Sequence, residues 1–215
     1  MTGRIVEDGI EGRARAVEVL RAGGIVGVPT DTVYGIAVAL STPGGIERLF
    51  LAKQRPLDKA IVLLLDDATQ AARTGLMTPA AAALAAAAWP GGITVIVPQR
   101  QDVPWPPELT GGAATIGLRV PDHESPRSLA RAVGPLPTTS ANVSGMAEAR
   151  DAEAILEQLG DAVDLVLDGG PARGGPPSTV VDCTGVAPII VRDGAVPIPE
   201  IAAILDRAGV EHELR

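Results

Sequence analysis

Apolar residues along the chain switch repeatedly between a helical and a strand-like rhythm. Over residues 10–22 they recur at helical spacing and stop at Gly23-Gly24, which predicts a first helix. The run 25–28 is short, continuously apolar and followed by Pro29-Thr30-Asp31, the pattern of a buried strand. A helix over 46–53 is halted by Pro56, and 61–65 reads as another buried strand, with Asp66-Asp67 as candidate helix caps behind it. Thr78-Pro79 is a helix start, with a capping hydroxyl and proline in the first turn, and the alanine run after it closes at Pro90-Gly91-Gly92. Further strands are expected at 93–97, 115–119, 165–167, 179–181 and 189–191, and further helices from Ser125-Pro126, Asp151 and Pro199. The proline-rich stretch 103–107 reads as a loop, and the Pro and Trp content of 99–112 suits a semi-rigid flap. No internal repeat and no long linker interrupts this alternation. The expectation is one α/β domain over 1–215, with its core at about 10–205, on a mixed sheet rather than a wholly parallel one.

Composition narrows the function classes. With 46% hydrophobic residues and only 2% aromatics, the chain builds its core from Ala, Val, Leu and Ile. A net charge of -8 argues against a general nucleic-acid binder. The single cysteine, Cys183, excludes an internal disulfide framework and a cysteine-based zinc cluster; it lies in an apolar run and is expected to be a buried, inert thiol. His123 and His212 are the only histidines, so metal ligation by protein nitrogen or sulfur is not expected. Residues 1–12 carry acids and no apolar run, unlike a signal peptide, and the apolar runs 80–89 and 61–65 fall far short of a bilayer span. A soluble, cytoplasmic protein is the expectation.

Three segments place unusual polar groups where strands give way to loops. The segment Pro29-Thr30-Asp31-Thr32-Val33-Tyr34-Gly35 reads either as a turn whose side chains satisfy local backbone or as a polar wall for a small amino-acid-like ligand. Ile46, Leu49, Phe50 and Lys53 share one helical face, so Lys53 continues the inward side of its helix. That lysine could simply snorkel, but Arg55 and Lys59 follow within six residues, and three cations at a strand mouth point to an anion site, phosphate being the obvious candidate. The segment 138–145, Thr-Thr-Ser-Ala-Asn-Val-Ser-Gly, reads as a loop cap or as a set of short donors for a ligand; with no nucleophile elbow it is not expected to hold a Ser-His-Asp triad. Neither classical phosphate loop is present, so a nucleotide would have to be held another way.

Together these segments resemble the YrdC family of threonylcarbamoyl-AMP synthases, from Gly23 to about Ile204. The resemblance rests on Pro-Thr-Asp-Thr-Val-Tyr-Gly at 29–35, Lys-x-Arg-Pro at 53–56 with Lys59, Pro-Gly-x-x-Thr at 90–94, Arg-x-Pro at 119–121, Ser-x-Asn-x-Ser-Gly at 140–145, Ser-Thr-Val-Val-Asp at 178–182 and Arg-x-Gly at 192–194. It implies a twisted, open α/β sheet around a deep basic cavity. By position it implies threonine contacts from Thr32, Leu64, Arg119, Thr138 and Ser178. ATP contacts would come from Arg55, Lys59, Thr115, Ser140, Glu148 and Arg192, with Lys53 and Asn142 in the same cavity. Lys53, Arg55 and Lys59 are then the catalytic candidates, and Asn142 is counted with the ATP set. The sequence departs from the family pattern at Gln54, where glycine is common, at Ala60, where proline is, and at Gly92-Ile93, where Pro-Leu is.

The reaction so implied joins L-threonine, bicarbonate and ATP into threonylcarbamoyl-AMP and pyrophosphate, for modification of adenosine 37 in tRNA. Mg²⁺ would travel with the ATP phosphates, and the product would pass to the machinery that transfers it to tRNA; no membrane partner is expected, and direct tRNA binding stays open. Two other readings also stay open. One is an RNA-binding module using the same cations on phosphate; the other is a carbamoyl-adenylate enzyme that consumes carbamoyl phosphate.

Overall fold

A computed structural model describes residues 3–54, 56, 59–173 and 175–214. In chain order the strands are β1 (Ile5–Glu7), β2 (Val26–Val28), β3 (Gly35–Ala37), β4 (Val62–Leu64), β5 (Ile93–Pro98), β6 (Thr115–Arg119), β7 (Leu136–Ser140), β8 (Leu165–Asp168), β9 (Thr179–Asp182) and β10 (Ile189–Arg192). The helices are α1 (Ile10–Arg21), α2 (Gly45–Ala52), α3 (Ala68–Thr74), α4 (Pro79–Ala88), α5 (Pro107–Thr110), α6 (Glu124–Val133), α7 (Ala152–Leu159) and α8 (Ile198–Arg207). All ten strands share one mixed sheet in the order β1-β8-β2-β3-β7-β4-β6-β5-β9-β10. The pairs β1–β8, β8–β2, β4–β6 and β5–β9 are parallel and the other five antiparallel.

Helix starts follow the local chemistry. Asp67 accepts from the backbone N–H groups of Thr69 and Gln70, Thr78 from Ala81 and Asp151 from Ala154, each satisfying donors that the first turn leaves free. The helix expected from Ser125 begins one residue earlier, because the His123 ring takes the capping position.

Side chains alternate across the sheet with period two, and the two faces are covered unequally. On one face, Ile36, Leu63, Val95, Ile116, Leu118, Val166 and Val181 join Leu49 and Phe50 of α2, Leu84 of α4, Ile155 of α7 and Ile201 of α8 in one cluster. On the other face, α1 and α6 pack Ala16, Leu20, Leu129 and Ala130 over Val26, Val28, Ala37, Leu64, Leu136, Leu165 and Leu167. That cover stops half-way across the sheet. The same face continues over β7, β4, β6, β5, β9 and β10, and there it is the floor of a cavity.

Three strands fall outside the apolar pattern. β1 lies at the sheet edge within a short acidic stretch, and β3 is a three-residue strand opening on Gly35. β7 corrects the reading of 138–145 as a loop: Thr138, Thr139 and Ser140 pair with β3 in the middle of the sheet. Thr138 and Ser140 break the apolar rhythm because they fall on the cavity-floor side of the sheet. Residues 99–112 supply no side chain to that cavity; Leu109 is fully buried and its carbonyl accepts from Ile61 N–H, so the segment belongs to the packed face.

Helix α2 ends with Lys53 as its C-cap, and Gln54 follows at φ 51°, the left-handed conformation that usually calls for glycine. A side chain there is disfavoured by about 1 kcal/mol, partly offset by the greater unfolded-state freedom of glycine. Replacing Gln54 with Gly should therefore stabilise the fold by about 0.5–1 kcal/mol, raising the thermal midpoint in a calorimetric scan by about 1–4 °C. A lower midpoint would show that the Gln54 side chain holds the turn.

Candidate active site

The cavity has a volume of about 340 Å³ and its floor can be laid out from strand register. Leu64 pairs with Arg119, the same register sets Thr94 beside Arg119, and Thr94 pairs with Val180, which pairs with Arg192. The next row, two residues along each strand, runs Thr138, Val62, Gly117, Ile96. Thr115 and Ser140 lie two residues further, on the far side. Rows two residues apart are separated by about 6.7 Å. The floor thus grades from a cationic end, through an apolar trough, to hydroxyl groups.

At the cationic end, Arg119 is almost fully buried. Its Nη2 donates to Asp31 at 2.6 Å, its Nη1 to Thr32 Oγ1 at 3.0 Å and its Nε to the Gly91 carbonyl at 2.9 Å. Among the described residues this is the one ion pair with both side chains under a tenth exposed, 6% and 8%. Burial lowers the basicity of Arg119 and the Asp31 carboxylate opposes that shift. One N–H on each terminal nitrogen is left over, on a side chain that lines the cavity. Thr30 supports the same corner: its hydroxyl donates to the Val33 carbonyl and lies 3.1 Å from Thr32 Oγ1.

Arg192 reaches the floor through a β-bulge. Ile190 pairs with Val181 and Arg192 with Val180, so Val191 is an extra residue. Without it, the alternation along β10 would turn Arg192 away from the cavity. As built, Arg192 donates from Nε and Nη2 to the Ser178 carbonyl and from Nη2 to Ser178 Oγ at 3.0 Å, while Thr94 Oγ1 lies 2.8 Å from that same Oγ. Gly194 permits this: a Cβ there would lie 2.3 Å from the Pro177 carbonyl oxygen. Burial also lowers the basicity of Arg192, with Glu148 raising it and Arg119 lowering it. Arg192 has no carboxylate within ion-pair distance among the described residues, so its charge is available to an anionic ligand.

Of the residues singled out from sequence, Thr32, Leu64, Thr115, Arg119, Thr138, Ser140, Glu148, Ser178 and Arg192 all line this cavity. Lys53 and Asn142 do not. Lys53 points inward as its helical face requires, but its ammonium donates to the carbonyls of Ser140 and Asn142 and lies 3.2 Å from Asn142 Oδ1, behind the cavity wall. Asn142 in turn donates to the carbonyls of Val143 and Met146. The two residues hold the 140–146 turn and support the lining Ser140, whose hydroxyl donates to Asn142 Oδ1 at 2.6 Å. Lys59 is exposed and is not among the lining residues, and Arg55 lies outside the described residues. Lining charges among the described residues are Arg119, Arg192 and Glu148.

Two residues that shape the site lie outside the sequence-derived set. Asp31 sits within 29–35 and Thr94 closes the 90–94 motif, so both positions carry a signal; their pairing with Arg119 and Ser178 does not. Cys183, buried as expected, has its thiol pushed up to about 12 by burial, and the Tyr34 hydroxyl is pushed up to about 12 by the same cause. Tyr34 OH donates to the Gly170 carbonyl at 2.7 Å and accepts from Gly169 N–H, bracing the turn after β8. No group of three or more His, Cys, Asp or Glu placed to hold a metal ion occurs among the described residues.

The profile of the Sua5/YciO/YrdC family, described as "Telomere recombination", matches residues 18–194. The chain belongs to the Sua5/YciO/YrdC family. A family member from Mycobacterium tuberculosis, provisionally named a threonylcarbamoyl-AMP synthase, is 37% identical over 195 residues, covering 90% of this chain and 89% of its own. The threonylcarbamoyl-AMP synthase of Bacillus subtilis is 32% identical over 94% of this chain but 58% of its own length. The structure of Pyrococcus abyssi Sua5 complexed with L-threonine superimposes with a TM-score of 0.87 at 30% identity, covering 98% of this chain and 62% of that one. The chain thus spans about six-tenths of these two longer relatives. No described helix is long and apolar enough to cross a membrane.

Removing the charge on Asp31 would leave Arg119 buried without its counter-ion. Asp31→Asn should destabilise the protein by about 2–4 kcal/mol in urea or guanidinium unfolding. A loss below about 0.5 kcal/mol would mean that the pair does not hold this corner together.

Proposed function

We propose that this chain is a threonylcarbamoyl-AMP synthase, taking L-threonine, bicarbonate and ATP to threonylcarbamoyl-AMP, pyrophosphate and water for the modification of tRNA. The observation that carries this reading is the buried Arg119, held by Asp31 and Thr32 at the end of a cavity where Ser178 and Thr94 also converge. That corner offers a guanidinium to an amino-acid carboxylate and several hydroxyls to its polar groups. The P. abyssi relative solved with L-threonine and the synthase names of the curated relatives support the same assignment.

In this reading threonine occupies the end formed by Thr32, Leu64, Arg119, Thr138 and Ser178. The nucleotide takes the remainder, with Thr115, Ser140, Glu148 and Arg192, and Arg55 and Lys59 are its further candidate contacts. The threonine amine adds to bicarbonate, losing water, to give a carbamate. A carbamate oxygen then attacks the α-phosphorus; the new P–O bond forms as the bond to the β-phosphate oxygen breaks, and pyrophosphate leaves with that electron pair. Nothing in this sequence needs a protein nucleophile, and the inert Cys183 is consistent with that. The protein contributes alignment of the two substrates and positive charge where charge accumulates. Mg²⁺ enters as part of the ATP substrate, bound by phosphate oxygens and needing few protein ligands.

The test is pyrophosphate release from ATP with L-threonine and bicarbonate supplied together and singly, with mass spectrometry of the adenylate. Release that requires both, with the adduct detected, is expected; release driven instead by carbamoyl phosphate, or by neither, would overturn the reading. In the same assay Arg192→Ala should lower kcat/KM by about 10²-fold or more while leaving the thermal midpoint nearly unchanged, since β10 is an exposed edge strand.

A further inference from the structure

Gly117 occupies the centre of the cavity floor, mid-way along β6, with Val62 and Ile96 paired on either side. A glycine inside a strand weakens it, and most such positions have a steric or conformational reason. Gly35 has one: a Cβ there would lie 2.8 Å from Thr138 Cγ2. Gly117 has none within the fold. Its backbone is ordinary extended strand, and a Cβ would meet nothing nearer than 3.7 Å, the methyls of Thr94 and Val62. The one thing its missing side chain provides is room in the cavity that it lines.

We propose that Gly117 is a positioning residue: it keeps the trough open so that the carbamate oxygen and the α-phosphorus meet against the β6 backbone. This rests on the synthase reading above. Arg119 lies one row to one side and Thr115 one row to the other, so ligands held at both ends must join across the row of Gly117. From the threonine carboxylate carbon to the α-phosphorus is a chain of five bonds, about 6 Å when extended, close to the row spacing of about 6.7 Å. A methyl group at 117 would push the two reacting atoms apart while meeting the Thr94 and Val62 methyls only at ordinary contact distance, 3.7 Å.

The experiment compares wild type, Gly117→Ala and Gly117→Val in thermal midpoint, in binding of L-threonine alone and of ATP alone by calorimetry, and in steady-state pyrophosphate release. Gly117→Ala should keep the wild-type midpoint, since its Cβ would make only ordinary van der Waals contacts, none nearer than 3.7 Å. Each substrate alone should bind Gly117→Ala within about two-fold of wild type, while kcat falls about ten-fold, and about hundred-fold or more for Gly117→Val. Wild-type kcat in Gly117→Ala would overturn the inference, as would a loss that appears wholly as weaker binding of one substrate. If wild type releases no pyrophosphate with threonine, bicarbonate and ATP, the synthase reading fails and this inference with it; an active wild type with an equally active Gly117→Ala sinks the inference alone.

Discussion

The buried contact between Arg119 and Asp31 ties together the parts of the molecule on which the site depends. Arg119 ends a central strand, and Asp31 belongs to the turn between β2 and β3, on the half of the sheet covered by α1 and α6. A guanidinium this far from water needs a counter-ion and filled hydrogen bonds. It finds them in Asp31, Thr32 and the Gly91 carbonyl, so the β2–β3 turn and the loop before β5 are both fixed to the end of β6 around one charge. The desolvation that makes the pair costly also makes its remaining N–H groups effective toward an anion.

A second constraint comes from the sheet itself. Period-two alternation gives every strand two faces, and a ten-stranded sheet has more area than its helices cover. One face is packed along its length, whereas on the other the cover of α1 and α6 ends half-way. The uncovered half is a binding floor because its inward positions carry Thr94, Thr115, Thr138, Ser140 and two arginines among short aliphatics. The bulge at Val191 then adjusts that pattern by one residue, so that the second arginine joins the floor.

Much of this is legible in the sequence, and what is not has physical reasons. Helix starts at Asp67, Thr78 and Asp151 can be read because capping is decided within four residues. The inward direction of Lys53 can be read from helical spacing; its destination cannot, because Ser140 and Asn142 lie some ninety positions further along. β7 escapes a hydrophobic reading since its last three residues are hydroxylic, two of them, Thr138 and Ser140, on the cavity-floor side of the sheet. Asp31 and Thr94 are visible as polar residues, but their roles depend on pairings between strands and loops 84 to 88 positions apart.

The account stands on an amino-acid carboxylate being held at Arg119. Calorimetry of the chain with L-threonine and with L-threonine amide, which lacks the carboxylate charge, tests this most directly. A charge-assisted hydrogen bond contributes about 1.5–3 kcal/mol, so the acid should bind about 10- to 100-fold more tightly than the amide, a difference much reduced in Arg119→Gln. Equal affinities for the acid and the amide in the wild-type protein would contradict the account.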